Sequence, residues 1–285
     1  EAAGQKMGSG FASRFLTPIA KILIEKQRVV GVQTEDGHVV HCQAVAICCG
    51  AWGNELLKPL GRRLAMANIE HVWALTKPLP QLPTPTANLY GRPLHPSDGR
   101  HQSLGTVLPA IYDGDGKVYY QTYGQQLGVG SYGHVARIYP DTMSKVSHAE
   151  APFNPADFQT AWQHSKRLFG AAFDEAGGLA LGFNGLMTGT PDGMPLAGEL
   201  AGIQGLWVGE ACWIKYAVGL GDALARALLF ADKVPAKVDV NRFDLNEWTQ
   251  AAIDEAVGTG YENRTEVPKV GAKGWHGMYS IAAKL

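Results

Sequence analysis

The sequence lacks the features that mark membrane, secreted and nucleic-acid-binding proteins. No apolar run approaches the roughly 20 residues that a bilayer-spanning helix needs, and the first residues form neither a signal-peptide core nor an initiator Met. We therefore expect the chain to begin inside a longer protein, or to have been processed or trimmed. The net charge is −1 and no basic stretch is interleaved with aromatics, which disfavours nucleic acid and membrane surfaces as partners.

Cysteine is also scarce. Cys42, Cys48, Cys49 and Cys212 match no CxxC motif and no Cys/His zinc spacing. We expect all four to be reduced and buried, as small apolar side chains. This pattern favours a reducing, cytoplasmic location and gives no metal site.

The usual dinucleotide-binding fingerprint is missing as well. That fingerprint is a strand, then GxGxxG opening a helix, then an acidic residue about twenty positions later. Gly8-Ser9-Gly10 does not qualify, because no strand precedes it. A Walker loop, a Ser-His-Asp nucleophile elbow and a metal-ligand cluster are absent from the sequence too.

The composition that remains is that of a globular protein, with 46% hydrophobic and 18% charged residues in a chain of 285. Residues 22–24, 29–32 and 38–42 predict a meander of three strands, with a hairpin turn at Glu35-Asp36-Gly37. Residues 44–49 are apolar throughout, which predicts a strand buried on both faces of a parallel sheet. A glycine turn follows it, at the strand end where such sheets bind ligands.

The middle of the chain predicts a second, mostly antiparallel sheet. Its strands are expected at residues 69–76, 105–111, 117–122 and 127–132, with an irregular loop over 78–100. Asn154 and Pro155 favour a helix over 155–169. One face of that helix is expected to carry Phe158, Ala161, Trp162, Ser165, Leu168 and Phe169. A buried strand at 205–209, a helix at 220–231 and partial helix around 246–256 follow.

Three segments are candidates for chemistry, and each also has a purely structural interpretation. Gly219 to Arg226 places glycines at a helix start, where backbone N–H groups can meet a ligand or simply pack closely. Thr190 to Pro195 contains Pro-Asp-Gly, which is by itself a turn signal. Glu70-His71-Val72-Trp73 opens a strand, and Tyr119-Tyr120 lies on a later one; the His can move protons near neutral pH or be a satisfied structural residue.

Read together, these segments resemble the D-amino-acid-oxidase superfamily of FAD-dependent oxidoreductases, and within it the dimethylglycine and sarcosine oxidase/dehydrogenase group. The segments that carry the resemblance, in chain order, are Arg28 to Gly37, Ala46 to Trp52, Glu70 to Thr76, Val118-Tyr119-Tyr120, Gly128 to Tyr132, Gly182 to Gly185, Thr190 to Glu199, Gly205 to Trp213, Ala217 to Gly219 and Asp239 to Phe243. The departures are His71-Val72-Trp73, where the family has His-Gln-Tyr, and Lys215-Tyr216, near which the family has a His.

The resemblance implies an α+β and α/β fold. Residues 1–62 and 183–235 would form a partial, Rossmann-like FAD-binding domain, residues 63–182 an antiparallel-sheet substrate domain, and residues 236–285 a C-terminal extension. It implies FAD as cofactor, with the ADP-binding part of the site outside this chain, in a missing N-terminal segment or another subunit. The residues implied to contact the cofactor are Cys49, Gly50, Trp52, Glu210, Ala211, Cys212, Trp213, Ala217, Gly219 and Gly221.

The implied reaction is hydride transfer to the flavin from the carbon next to the nitrogen of a small secondary or tertiary amine. By resemblance, His71 would influence the amine proton, and Tyr120 or Tyr119 would position the substrate. Strand alternation allows only one of the two tyrosines to face the pocket, and we favour Tyr120. Glycine or D-amino-acid oxidation is the alternative within the enzymes; a non-catalytic fragment or small-molecule-binding module is the alternative outside them.

Overall fold

A computed structural model describes residues 12–82, 110–139, 150–170, 173 and 177–262. Contacts divide the chain into two units: unit 1 comprises residues 1–64 and 196–242, and unit 2 comprises residues 65–195 and 243–285. Within the described ranges, none of the helices is both long enough and apolar enough to cross a membrane. Strands and helices are numbered along the chain.

Unit 1 begins with a three-stranded antiparallel meander. Its strands are β1 (Ile19–Glu25), β2 (Arg28–Thr34) and β3 (Val39–His41). Lys26 and Gln27 turn the chain between β1 and β2 with left-handed φ angles of 48° and 60°. Gly37 has a φ of 90° in the next turn, which a glycine adopts without strain. The predicted meander and its hairpin turn are confirmed.

The second sheet of unit 1 has the order β12-β13-β4. Strand β4 (Val45–Ile47) pairs in parallel with β13 (Leu206–Glu210), which pairs antiparallel with β12 (Leu196–Glu199). The parallel pairing confirms the sequence prediction. Burial on both faces is wrong, however, because Ala46 is exposed in an edge strand.

Helical segments follow the two parallel strands. After β4 come a 3-10 turn (Gly50–Trp52), α1 (Gly53–Leu57) and a second 3-10 turn (Lys58–Leu60). After β13 come a 3-10 turn (Ile214–Tyr216) and α3 (Ala217–Phe230), which begins three residues before the predicted position 220. Leu220 and Leu224 of α3 pack on Ala197 of β12, and this contact holds the helix against the sheet.

The described residues of unit 2 form an antiparallel sheet of seven strands. In chain order they are β5 (Ala67–Thr76), β6 (Ile111–Asp113), β7 (Val118–Tyr123), β8 (Gln126–Ser131), β9 (Ile138–Tyr139), β10 (Glu150–Ala151) and β11 (Leu179–Gly189). The spatial order is β10-β11-β5-β8-β7-β6, with β9 also paired to β5. Three predicted strands, β5, β7 and β8, are confirmed. Most of the predicted strand 105–111 and most of the predicted loop 78–100 lie outside the described residues.

Two helices cover opposite faces of this sheet. Helix α2 (Pro155–Phe169) packs on the face that carries Val72 and Ala74, and α4 (Gln250–Glu262) packs on the face that carries Ala67 and Ile69. The opposition follows from the two-residue period of β5, which sends alternate side chains to opposite faces.

The start of α2 is fixed as the sequence predicts. The Asn154 side chain accepts a hydrogen bond from the Ala156 N–H, and Pro155 occupies the first turn. Phe158 and Ala161 are buried, as expected. Leu168 is 52% exposed, so its assignment to the buried face is wrong. It lies in the last turn of the helix, beyond the three buried positions Phe158, Ala161 and Ser165.

Candidate active site

His71 lies near the middle of β5, between β11 and β8, and is only 7% exposed. Both of its ring nitrogens have a phenol partner. Nε2 is 2.9 Å from the Tyr119 hydroxyl, and Nδ1 is 2.8 Å from the Tyr261 hydroxyl. A buried imidazole with two hydrogen bonds has a fixed orientation, so this His can receive or give a proton at a defined atom.

Aromatic rings pack against the same imidazole. The Tyr119 ring lies parallel to it at an interplanar angle of 3° and a centroid distance of 5.7 Å. The Tyr132 ring contacts it at 4.6 Å and 39°. Apart from the phenol hydroxyls, these rings surround the His71 imidazole with apolar atoms. In such an environment of low polarity each hydrogen bond is stronger than it would be in water.

The structure brings Tyr119, and not Tyr120, to His71. Tyr120 faces the opposite side of β7, is 1% exposed and contacts the Ser165 hydroxyl of α2 at 3.2 Å. Its ring also packs on Phe169. The preference for Tyr120 as the substrate-facing tyrosine does not fit this placement, because the strand alternation assigns it to the α2 core. Tyr119 is the tyrosine that fits the role beside His71.

Tyr261 and His134 also belong to this arrangement, and neither is among the site residues that the sequence predicted. Tyr261 is fully buried, and its hydroxyl lies 2.8 Å from Nε2 of His134, which is 8% exposed. Burial lowers the pKa of His134, against the opposing hydrogen bond to the Val135 carbonyl. Ile253, Val257 and Tyr261 recur every four residues, and this spacing is the sequence signal for an inward-facing stripe on α4 that ends in a polar ring.

The residues implied to contact the cofactor gather in unit 1, at the carboxyl ends of the parallel strands β4 and β13. Cys49, Gly50 and Trp52 directly follow β4, and Glu210 to Trp213 end β13 and leave it. Ala217, Gly219 and Gly221 lie in the first turns of α3. Ligands of α/β sheets bind at this edge, so the placement agrees with a binding role for the set.

Glu210 joins the two strand ends. Its carboxyl is 1% exposed and accepts a hydrogen bond of 2.7 Å from the Cys49 N–H. Burial raises the pKa of Glu210 to about 7, although the N–H groups of Cys49 and Gly50 partly offset this by favouring the carboxylate. Burial, together with the nearby Glu210, raises the pKa of the Cys49 thiol to about 12. The buried Glu210 therefore holds the backbone of the loop after β4 in place by a hydrogen bond.

The cysteines depart from expectation in one respect. All four are free thiols, but Cys48 is exposed and the other three are half-buried, so the expected burial is wrong. The reason is that the apolar run containing Cys48 forms an edge strand and the turn after it, not a fully covered strand.

Three glycines leave backbone accessible around these strand ends. A side-chain carbon placed at Gly50, Gly219 or Gly221 would meet no atom of the described residues within 4 Å. Gly50 also has a left-handed φ of 59°. A flat ring can approach main chain at such positions more closely than it could beside a larger residue. These residues fit the ring portion of FAD.

The Thr190–Pro195 segment, by contrast, forms a turn held by its own groups. Asp192 accepts a hydrogen bond from the Met194 N–H at 3.0 Å. The Thr190 hydroxyl donates its one hydrogen to the Met194 carbonyl at 2.7 Å, and its oxygen lies 3.0 Å from the Asp192 carboxylate. Gly193 supplies a φ of 70°. The structural interpretation of this segment accounts for its sequence.

Comparisons with known proteins identify the family of the chain. The sequence profile of the DAO family, described as FAD dependent oxidoreductase, matches residues 9–227. A D-amino acid dehydrogenase of Cereibacter sphaeroides is 26% identical over 206 residues, which are 72% of this chain and 39% of that protein. The 4-methylaminobutanoate oxidase (formaldehyde-forming) of Paenarthrobacter nicotinovorans is 25% identical over 258 residues, which are 85% of this chain and 28% of that protein. The chain thus spans well under half the length of these curated relatives.

Solved structures share the fold at low identity. L-proline dehydrogenase from P. horikoshii matches with a TM-score of 0.58 and 16% identity, covering 82% of this chain and 55% of that one. Glycine oxidase from Geobacillus kaustophilus matches with a TM-score of 0.53 and 15% identity, covering 82% and 52%. The predicted mixed fold is confirmed. Because the family profile matches more than half of its residues, the chain belongs to the FAD-dependent oxidoreductase family.

Proposed function

We propose that the protein containing this chain uses FAD to oxidise a small amine or amino acid, and that His71 and Tyr119 handle the proton of the substrate nitrogen. The observation that carries the proposal is the hydrogen bond of 2.9 Å between His71 Nε2 and the Tyr119 hydroxyl, in the sheet of unit 2. Family membership implies FAD as the cofactor. In the His71–Tyr119 pair, the imidazole is the group that can change its protonation state near neutral pH.

The cofactor has a defined role in this proposal. When bound, FAD accepts the hydride equivalent, which is the demanding part of the chemistry. Gly50, Gly219 and Gly221 would admit the flavin ring to the main chain, and Glu210 would hold the loop after β4 in shape. The ADP end of FAD is proposed to bind outside these 285 residues, since the sequence lacks the usual dinucleotide fingerprint.

His71 and Tyr119 would act before hydride leaves. An amine must be neutral to donate hydride, because its lone pair stabilises the carbon that becomes electron-poor. A substrate ammonium can give a proton to the Tyr119 oxygen while the Tyr119 hydrogen moves to His71 Nε2. The near-parallel rings hold this pair in one geometry, so the transfer needs no rearrangement.

The substrate class that we favour is a secondary or tertiary amine of the dimethylglycine or sarcosine type. The order of the resembling segments supports it, including Asp239 to Phe243, and so does the relative that is a formaldehyde-forming 4-methylaminobutanoate oxidase. Oxidation of glycine or of D-amino acids is the second candidate, supported by the relative that is a D-amino acid dehydrogenase. The two differ in product: an N-methyl amine oxidised at its methyl group releases formaldehyde, and an amino acid oxidised at its α-carbon releases an amine or ammonia with a keto acid.

An anaerobic substrate screen tests the proposal. The flavin-loaded protein is mixed with dimethylglycine, sarcosine, glycine and D-alanine, and loss of the visible flavin absorption is recorded with the products. We expect bleaching, fastest with the methylated amines and accompanied by formaldehyde. Keto acid formation without formaldehyde would favour the second candidate. A protein that takes up flavin but is bleached by none of these amines would support the binding-module alternative and overturn the proposal.

A further inference from the structure

Four side chains of unit 2 form an unbroken hydrogen-bond chain that ends on a main-chain carbonyl. Tyr119 contacts His71 at 2.9 Å, His71 contacts Tyr261 at 2.8 Å, and Tyr261 contacts His134 at 2.8 Å. His134 Nδ1 then lies 2.9 Å from the Val135 carbonyl oxygen. These contacts join β7, β5, α4 and the loop after β8, so they cross the sheet face that α4 covers.

The carbonyl at one end fixes the direction of every bond. A carbonyl oxygen only accepts, so His134 Nδ1 must carry the hydrogen, and in a neutral imidazole Nε2 is then an acceptor. Tyr261 therefore donates its single hydrogen to His134 Nε2, and its oxygen accepts from His71 Nδ1. His71 Nε2 is left unprotonated and accepts from the Tyr119 hydroxyl.

One contact competes with this order. The Tyr261 hydroxyl also lies 3.4 Å from the Ser131 carbonyl oxygen. If Tyr261 donated there, lone pairs on Tyr261 and His134 would face each other at 2.8 Å. The shorter contact therefore takes the hydrogen, because a phenol donates only once and a bond near 2.8 Å is much stronger than one at 3.4 Å.

From this geometry we infer that Tyr261 and His134 extend the site as a proton relay, which carries the proton released by the substrate amine from Tyr119 to His134. The inference rests on the proposed function. The substrate N–H bond breaks and a new O–H bond forms on Tyr119. The original hydroxyl hydrogen of Tyr119 is transferred to His71 Nε2. His71 releases its Nδ1 hydrogen to Tyr261, and Tyr261 releases its own to His134 Nε2. One proton enters, His134 becomes an imidazolium, the other three groups are neutral again, and no electrons move.

The surroundings of His134 make it a temporary acceptor. Burial lowers its pKa, which favours the neutral ring before the proton arrives. Glu70 of β5 and Asp157 of α2 favour its charged form, whereas Arg137 disfavours it. The His71 and Tyr261 rings also face it, at centroid distances of 6.5 and 5.4 Å. Because two carboxylates favour the imidazolium and burial disfavours it, His134 can accept a proton and later release it.

Nitrogen NMR of the histidine rings tests the hydrogen order without flavin or turnover. The 285-residue chain is labelled with 15N-histidine, and His71→Gln and His134→Gln identify the two rings. We expect both to be neutral and protonated at Nδ1, the less common form of free imidazole. Protonation of His71 at Nε2 would overturn the inferred order. In Tyr261→Phe the His71 ring loses its Nδ1 acceptor, and we expect it to shift toward the Nε2-protonated form.

Stopped-flow kinetics of Tyr261→Phe then test proton transfer along the relay from Tyr119 to His134. Tyr123→Phe is the matched control. Tyr123 is on the same strand and face as Tyr119, and its hydroxyl makes a long contact of 3.4 Å to Gln121. We expect Tyr261→Phe to slow flavin reduction at saturating substrate by at least about tenfold and to move its pH profile upward, with substrate affinity unchanged. Equal rates and pH profiles in wild type and Tyr261→Phe would overturn the relay. If the wild type shows no flavin reduction, the proposed function is wrong, and so is the transfer of a substrate proton. The NMR result would still decide the direction of the hydrogen bonds.

Discussion

Tyr119 and Tyr120 are neighbours in β7 whose hydroxyls lie on opposite faces of the unit 2 sheet. Tyr119 reaches His71 under α4, and Tyr120 reaches Ser165 of α2 in the core. Tyr119 therefore has the position that the proposed chemistry needs, whereas Tyr120 belongs to the core. This division allows the two roles to be measured separately.

Removing the Tyr120 hydroxyl should cost stability. Tyr120→Phe leaves the packing on Phe169 but deletes a buried hydrogen bond to Ser165, and such a loss typically costs about 1 kcal/mol. Urea unfolding of the two proteins would show the difference. Tyr123→Phe is the control, since its side chain is partly exposed and the change should alter the free energy of unfolding by less than about 0.5 kcal/mol. A larger effect at Tyr123 than at Tyr120 would contradict the placement of Tyr120 in the core.

The buried carboxyl of Glu210 should make stability fall as the pH rises. Its pKa in the folded protein is about 7, above the ordinary value of 4.5, so the folded state holds a proton that the unfolded state has lost between these pH values. The contribution is fully present below pH 4.5 and disappears as the pH passes through 7. Over this window the contribution of Glu210 to the free energy of unfolding should amount to about 3 kcal/mol.

The variant Glu210→Gln isolates this effect from other titrating groups. Gln can still accept the Cys49 N–H bond but does not titrate. Urea unfolding at pH 5, 6, 7 and 8 should show the wild type losing stability relative to the variant as the pH increases. A difference between the two proteins that is constant across this range would show that Glu210 ionises normally in the folded state.

Gly219→Ala should separate folding from cofactor binding. The added methyl meets no described atom within 4 Å and replaces glycine inside α3, where alanine is favoured by up to about 1 kcal/mol. We expect the flavin-free protein to melt at a higher temperature and, if this backbone meets the flavin ring, to bind flavin more weakly. Differential scanning fluorimetry and a flavin titration measure the two quantities. Higher stability with unchanged flavin affinity would remove Gly219 from the binding surface.

The affinity of the chain for different flavins tests which part of FAD it holds. If only the ring portion binds to these 285 residues, then riboflavin, FMN and FAD should bind with dissociation constants within about threefold of each other. This corresponds to a difference in binding free energy of less than about 0.7 kcal/mol. Quenching of flavin fluorescence provides the measurement. A strong preference for FAD over FMN would mean that the chain also contacts the ADP portion.

The sequence predicted the parts of this molecule that depend on local signals. The Asn154-Pro155 helix start, the Gly37 turn and the strands β5, β7 and β8 all rest on capping, turn chemistry or residue alternation. The long strand β11 was not recognised, because Leu179 to Gly189 contains three glycines and alternates weakly. Its strand conformation comes from pairing with β5 along most of its length, which is a tertiary effect.

The candidate site was predictable only in part. His71 and the Tyr119-Tyr120 pair could be found, but alternation alone does not say which face of β7 is the site and which is the core. That choice depends on the helices α2 and α4, which pack on the two faces. Tyr261 is 190 residues from His71 along the chain, and no local pattern joins them.

The proposed handling of the substrate proton depends most directly on His71. His71→Gln in the flavin-loaded protein should bind the favoured amine with similar affinity, yet reduce its flavin at least about a hundredfold more slowly in anaerobic stopped flow, because the proton acceptor is gone. Tyr123→Phe, measured beside it, should behave as wild type. If His71→Gln reduces its flavin as fast as the wild type across the pH range, His71 does not handle the substrate proton and the central claim is wrong.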